Sequence, residues 1–172
     1  MNHNYLNILK QISYDEYIQW IPLKQNMSVV SLLDSKDLSR IIDGIENDEE
    51  LFDFCQLSSN YSCFVLIERI TSKPICFCIL EFETDKKQII FHGGRLPVYN
   101  NIMMVYRGTA IILKALLNLQ FDVLTTSNYN RAIRFNTALG FESYRIDGER
   151  VWMRLTHESF EKSSIGQRLL FV

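Results

Sequence analysis

His92-Gly93-Gly94 combines a proton-transfer side chain with two residues that have no side chain. An unperturbed histidine changes protonation near neutral pH, so His92 is the best candidate in the chain for a general base. Paired glycines within a strand favour a bulge or the close approach of another backbone. The alternative is a loop that begins two residues early. Glu81 and Glu83, on the preceding predicted strand, could act as bases through water, although the pattern favours solvent-facing positions for both.

A second candidate site is the start of a predicted helix at Arg107, Gly108, Thr109 and Ala110. The first N–H groups of a helix have no partners within the helix, and the helix dipole favours anions there. Arg107 would add a positive charge. This segment is therefore a candidate phosphate site, and the alternative is an ordinary helix start with an arginine in solvent.

The elements that would position these residues follow from the spacing of apolar side chains. A helix is predicted over Tyr106–Gln120, after an apolar loop over Leu96–Val105, and a short strand over Asp122–Thr126. Asn128 or Asn130 is predicted to cap a second helix. That helix ends before a glycine suited to a left-handed conformation.

This helix–strand–helix segment resembles the core of the GNAT superfamily, the acyl-CoA-dependent N-acetyltransferases. The residues that carry the resemblance lie in the second helix and the turn after it: Ala132, Ile133, Arg134, Leu139, Gly140 and Phe141. The first helix departs from the family pattern, since Ala110 and Ile112 replace the expected glycine and small residue. Asn136 stands where the family often has a tyrosine acid, for which Tyr106, Tyr129 and Tyr144 are possible substitutes.

The resemblance implies a fold, a co-substrate and a set of contacts. The co-substrate is acetyl-CoA, with its thioester oxygen near an N–H of a bulged strand at His92-Gly93-Gly94. His92 is the implied catalytic base. The residues implied to bind the cofactor are Gly94, Leu96, Arg107, Gly108, Thr109, Ala110, Asn128, Asn130 and Asn136.

The rest of the chain predicts one GNAT-like α/β domain over residues 1–172. Residues 1–26 are an N-terminal extension over one edge, with a weak helical stripe, and residues 157–172 are a closing element. The predicted strands are Val29–Leu33, Ser62–Ile70, Ile75–Phe82, Gln88–Arg95, Asp122–Thr126, Glu142–Ile146 and Glu149–Thr156, with helices from Leu38 to Ile45 and near Leu51. Strand Gln88–Arg95, the long helix and the next strand form a right-handed βαβ crossover. The sheet is therefore mixed and mostly antiparallel, with helices on both faces, and Asp147-Gly148 is the predicted turn of the last hairpin.

Composition narrows the class of protein. The chain has 172 residues, 47% of them hydrophobic and 22% charged, and a net charge of -2. These values predict a globular protein with no general nucleic-acid or membrane surface. The polar start and the lack of a long apolar run predict a cytoplasmic protein. Cys76 and Cys78 are predicted to be buried and reduced rather than zinc ligands, and no metal is expected.

The resemblance therefore predicts transfer of an acetyl group from acetyl-CoA to an amine of a small molecule or peptide. One alternative is a GNAT-like binding module without turnover, which Ala110, Ile112 and Asn136 favour. Another is a domain that forms a homodimer through its last residues, Leu169 to Val172.

Overall fold

The structure is a computed structural model, and it describes residues 3–23, 47, 49–51, 53, 60–96 and 99–169. Its helices and strands, in chain order, are α1 (His3–Gln11), β1 (Ile18–Pro22), β2 (Tyr61–Glu68), β3 (Pro74–Glu83), β4 (Gln88–Arg95), α2 (Ile102–Asn118), β5 (Asp122–Ser127), α3 (Asn130–Ala138), β6 (Glu142–Asp147), β7 (Arg150–Leu155), α4 (His157–Lys162) and α5 (Ser164–Leu169).

The seven strands form one sheet in the order β1-β2-β3-β4-β5-β7-β6. Only β4 and β5 are parallel, because α2 crosses over between them, and all other neighbours are antiparallel. This arrangement confirms the predicted mixed sheet and its central βαβ crossover.

Helices cover both faces, as predicted. The larger buried cluster lies on the α2 face and contains Phe64, Cys78 and Ile112. The smaller cluster, on the opposite face, includes Val65 and Leu51, and residues 49–51 and 53 are helical. The sheet is therefore buried on both sides along the central parts of β2 and β3, where residues 63–66 and 75–80 are apolar.

The N-terminal segment contributes a strand that the sequence analysis missed. Helix α1 matches the predicted stripe, but Ile18–Pro22 forms the edge strand β1 and pairs antiparallel with β2. A proline is tolerated at the end of an edge strand, whose outer side needs no partner. The predicted strand Val29–Leu33 and the helix predicted from Leu38 to Ile45 lie outside the described residues, as do Leu170 to Val172.

Two predicted boundaries were wrong. Helix α2 begins at Ile102, not Tyr106, because the side chain of Asn101 caps it within the segment predicted as a loop. The last hairpin turns at Gly148-Glu149 rather than Asp147-Gly148, since Asp147 still pairs with Arg150. Gly148 has φ +60°, and a type II′ turn needs a positive φ only at its first central residue.

Candidate functional site

Strands β4 and β5 separate halfway along their length. Their parallel register ends at Ile90 and Leu124. Beyond it, the Thr125 hydroxyl donates a 2.9 Å hydrogen bond to the carbonyl of Phe91. Both strands continue past this point, so an opening lies between the second half of β4 and the end of β5. Open α/β sheets bind ligands at such strand ends.

The edge of β4 that faces this opening is exposed at Gly93. The carbonyl of Phe91 faces β5, and backbone groups alternate in direction along a strand, so the N–H and C=O of Gly93 also face the opening. A Cβ on Gly93 would lie 2.8 Å from the Phe91 ring. A side chain at this position would therefore crowd the ring of Phe91. With glycine, the edge of the strand stays open to a ligand.

Gly94 and Leu96 face the other way. The N–H of Leu96 donates to the carbonyl of Ile75 at 3.3 Å, and the Leu96 side chain is fully buried. By the same alternation, the polar groups of Gly94 point to β3. The residue with a free edge is thus Gly93, one position before the predicted Gly94.

The predicted bulge at the paired glycines is absent. The register between β3 and β4 runs without a break from Cys76↔Arg95 to Glu83↔Gln88. The alternative of an early loop is also wrong, because β4 extends to Arg95. The glycines therefore expose a regular strand rather than distort it.

The N-terminus of α2 follows β4 after six residues and is exposed. The side-chain oxygen of Asn101 accepts the N–H groups of Met103 at 3.2 Å and Met104 at 3.4 Å. The N–H of Ile102 donates to the carbonyl of Asn100 at 3.1 Å. These first N–H groups are those that a helix can offer to an anion. An anion here would have to replace the amide oxygen of Asn101, whose two bonds are long.

Arg107, Gly108, Thr109 and Ala110 lie inside α2, so the prediction that they open the helix was wrong. Their N–H groups are past the first turn and are bonded within the helix. A Cβ on Gly108 would lie 2.1 Å from a methyl of Leu66, and Thr109 and Ala110 are buried. Gly108 therefore permits close contact between the helix and the sheet.

Arg107 points towards the N-terminal segment. Its Nε lies 2.5 Å from Oδ2 of Asp15, whose side chain is buried, and its guanidinium stacks 5.5 Å from the centre of the Tyr17 ring. The indole N–H of Trp20 donates to the Gly108 carbonyl at 2.8 Å nearby. The charge of Arg107 is therefore already paired.

His92 lies on the face opposite α2, in contact with a carboxylate. Its Nε2 is 3.3 Å from Oε2 of Glu81. The hydrogen bond with His92 lowers the pKa of Glu81, and a hydrogen bond with Tyr61 acts in the same direction against partial burial. Partial burial and the charge of Glu81 raise the pKa of Tyr61 to about 12. Glu81, predicted only as an alternative base, is thus the partner of His92.

Helix α3 places the remaining predicted residues. Neither Asn128 nor Asn130 caps it, because the N-cap is Tyr129, which makes no side-chain capping bond. Asn128 and Asn130 are exposed near the end of β5, whereas Asn136 is buried. Tyr106 stacks on Phe135 with ring centres 4.3 Å apart, which joins α2 to α3.

Among the residues that the structure describes, no group of three His, Cys, Asp or Glu side chains could hold a metal ion. Cys63, Cys76 and Cys78 are buried and free. No helix in the described ranges is long and apolar enough to cross a membrane.

Comparison of the sequence with protein-family models and with curated proteins gives no match. Solved structures do match. Spermidine N-acetyltransferase from Vibrio cholerae, in complex with CoA and spermine, has a TM-score of 0.68 at 12% identity, covering 85% of this chain and 99% of that one. A GNAT-family acetyltransferase from Bacillus anthracis has a TM-score of 0.66 at 12% identity, covering 84% and 98%.

Apo FdhC, described as a nucleotide-linked sugar GNAT, has a TM-score of 0.66 at 12% identity and covers 89% of this chain and 94% of its own. All three match this chain over nearly their full length. The chain therefore has the fold of the GNAT acetyltransferases.

Proposed function

We propose that this protein transfers an acyl group from acyl-CoA to an amine, and that the acyl group is acetyl. The observation that carries the proposal is the opening between β4 and β5, at which the edge of Gly93 is exposed. A free strand edge can bind an extended amide-containing chain such as pantetheine by backbone hydrogen bonds.

The exposed backbone groups of Gly93 and of the start of α2 suit an acyl-CoA. The N–H and C=O of Gly93 would hold the amide arm, and the N–H groups of Met103 and Met104 would hold the pyrophosphate. For this, the side-chain oxygen of Asn101 would have to give up its hydrogen bonds of 3.2 and 3.4 Å to the same N–H groups. Charge-assisted hydrogen bonds are stronger than neutral ones, so phosphate oxygens can replace it. Acyl-CoA would supply the thioester that reacts with the amine.

Other predicted contacts remain part of the proposal. Asn128 and Asn130 are exposed at the end of β5, from where they could reach the nucleotide end of the cofactor. Arg107 is expected to contribute little, because its charge is held by Asp15.

His92 is the proposed base. An amine acceptor is mostly protonated at neutral pH and must lose a proton before it can attack. The side chain of His92 is 16% exposed, which leaves it accessible, and it sits two residues beyond the point where β4 and β5 part.

The proposed class of acceptor follows the names of enzymes with similar structures. The similar Vibrio cholerae enzyme is a spermidine N-acetyltransferase, and FdhC is described as a nucleotide-linked sugar GNAT. We therefore propose an amine acceptor of small-molecule or peptide type.

A binding module with the same fold is the second candidate function. Asn101 already occupies the start of α2, and Arg107 is already paired, so anion binding at this end is weakened on both counts. Such a module would bind CoA or another ligand without turnover.

The test is release of free CoA thiol from acetyl-CoA in the presence of polyamines, amino sugars linked to nucleotides, amino acids and short peptides. Acceptor-dependent release that His92→Ala reduces by about 100-fold or more is expected for a general base. His157→Ala is the matched histidine control. Binding of CoA without release for any acceptor would support a module that binds CoA, and no binding of CoA would contradict both the acyl transfer and a module that binds CoA.

A further inference from the structure

Three titratable side chains form a row across neighbouring strands on the face opposite α2. Tyr61 on β2 stands directly opposite Glu81 on β3. Glu81 pairs with Ile90 on β4, and His92 follows two residues later on the same face, so it is the diagonal neighbour of Glu81. The distance from His92 Nε2 to Glu81 Oε2 is 3.3 Å, and Tyr61 hydrogen-bonds the same carboxylate.

We propose that Glu81 and Tyr61 are positioning residues for His92, so that Nδ1 of His92 is the atom that takes the proton from the acceptor amine. This inference rests on the proposed function and goes beyond it by naming the accepting atom and the two residues that prepare it.

The carboxylate fixes the tautomer of the imidazole. A neutral imidazole has one N–H and one basic nitrogen, and a carboxylate can only accept. Because Nε2 faces Glu81, the hydrogen lies on Nε2 and Nδ1 is left basic.

The proton step balances without another reactant. An N–H bond of the ammonium group breaks, its electron pair stays on the amine nitrogen, and the proton bonds to Nδ1. The resulting imidazolium is stabilised by the negative charge of Glu81. The proton then leaves to solvent, which restores the neutral imidazole.

Tyr61 keeps the carboxylate in place. Its pKa of about 12 means that the phenol stays protonated at neutral pH and acts as a donor to Glu81. A carboxylate held by two neighbours has fewer orientations than a free one, so its bond to His92 is better fixed.

Two other carboxylates on this face are already paired. Glu83 on β3 lies 3.1 Å from Lys86, and Asp122 on β5 lies 2.6 Å from Arg154 on β7. Each pair is partly exposed and neutral overall, so its effect on His92 is screened. Glu81, by contrast, contacts the imidazole of His92 directly.

Glu83 supplies a matched control. Its side chain and that of Glu81 are each 30% exposed, and both stand on β3, two residues apart. Glu81→Gln and Glu83→Gln therefore remove the same charge from the same strand and face, but only the first removes the partner of His92.

The first readout needs no co-substrate. The chain has three histidines, His3, His92 and His157, so nitrogen NMR of the labelled imidazoles can resolve each. We expect neutral His92 to carry its hydrogen on Nε2. In Glu81→Gln we expect this preference for Nε2 to be lost, because an amide can face either imidazole tautomer as a donor or as an acceptor. Glu83→Gln should leave the preference unchanged.

The second readout is the separate measurement of kcat and KM with one amine. In Glu81→Gln kcat should fall by about 10- to 100-fold, with the KM for acetyl-CoA unchanged. Glu81→Asp should restore part of kcat, and Tyr61→Phe should cause a smaller change of the same sign.

The outcomes separate this inference from the proposed function. A neutral His92 that carries its hydrogen on Nδ1, or a tautomer preference that Glu81→Gln and Glu83→Gln change equally, would overturn the positioning role even if the enzyme is active. A wild-type protein that binds no acetyl-CoA would overturn the proposed function and, with it, the role of His92 as a base.

Discussion

Asp15 binds the N-terminal segment to helix α2 through Arg107, 92 positions later in the chain. Oδ2 of Asp15 accepts a 2.5 Å hydrogen bond from Nε of Arg107, and Oδ1 accepts the N–H groups of Tyr17 at 2.9 Å and Ile18 at 3.2 Å. One buried carboxylate thus fixes the start of β1. The same carboxylate pairs with Arg107, which the sequence predicted to bind a phosphate. Arg107 is therefore expected to matter more for stability than for CoA binding.

Asp15→Asn should lower the free energy of unfolding by about 1–3 kcal/mol, because it removes a charge-assisted bond at a buried site. Chemical denaturation measures this difference in the free energy of unfolding. Glu158→Gln is the control, since the Glu158–Lys162 pair is exposed on both sides and should give no measurable change. Equal effects of the two substitutions would contradict the role given to Asp15.

Asn101→Ala should strengthen binding of CoA while it weakens the fold. Loss of the cap costs about 1 kcal/mol of stability, and it frees the N–H groups of Met103 and Met104 for phosphate. The expected gain in CoA affinity is up to about fivefold, by calorimetry. Asn100→Ala is the control, because the contact that Asn100 makes with α2 in the described part of the chain uses its backbone carbonyl. Weaker CoA binding by Asn101→Ala would mean that the Asn101 side chain itself holds the cofactor.

Gly140→Ala should destabilise the protein far more than Gly148→Ala. Both glycines have positive φ, +98° and +60°, which costs an alanine about 1–2 kcal/mol. At Gly140 the added Cβ would also lie 2.5 Å from the Ser159 carbonyl oxygen, whereas Gly148 has open space. Overpacking adds about 1–3 kcal/mol, so the total at Gly140 is about 2–5 kcal/mol. Similar melting temperatures for the two variants would show that α4 does not pack against Gly140 as described.

Glu81 should make stability depend on pH in the acidic range. Its pKa is lowered below the ordinary 4.5 in the folded state, mainly by the hydrogen bond with His92. A lowered carboxylate pKa stabilises the fold above the unfolded value, and this contribution is lost as pH falls through the folded value. The stability advantage of wild type over Glu81→Gln should therefore shrink between about pH 6 and pH 3. The site is partly exposed, so the change should be below about 1 kcal/mol. If the stability advantage of wild type over Glu81→Gln grew as the pH fell, that result would contradict the hydrogen bond between Glu81 and His92.

The fold was predictable wherever periodicity and turn residues agree. Gln88–Arg95 was predicted with its observed bounds, and the strand that begins at Asp122 was predicted to within one residue at its end. Strand β1 was missed because it has five residues and ends in Pro22, so its alternation of apolar and polar side chains is too short to indicate a strand. The start of α2 was signalled by Asn101 before an apolar run, which is a capping pattern, but the preceding residues read as a loop.

The site was predictable in its residues more than in its geometry. His92 and the glycines beside it were identified, yet whether Gly93 or Gly94 faces the opening depends on the register of three strands. The contact between Asp15 and Arg107 joins distant parts of the chain and leaves no local pattern. Glu81 was predicted as an alternative base on the preceding strand, but its hydrogen bond with His92 depends on how β3 pairs with β4.

The most direct test of the account is amide NMR of protein labelled with nitrogen-15 at glycine, titrated with CoA. The chain has seven glycines, so the spectrum is simple. We predict that the Gly93 amide shifts most and Gly94 follows, while Gly148 in the hairpin turn and Gly166 in α5 stay in place. Saturation that moves Gly148 or Gly166 but not Gly93, or no shift at about millimolar CoA, would contradict CoA binding at the β4–β5 opening.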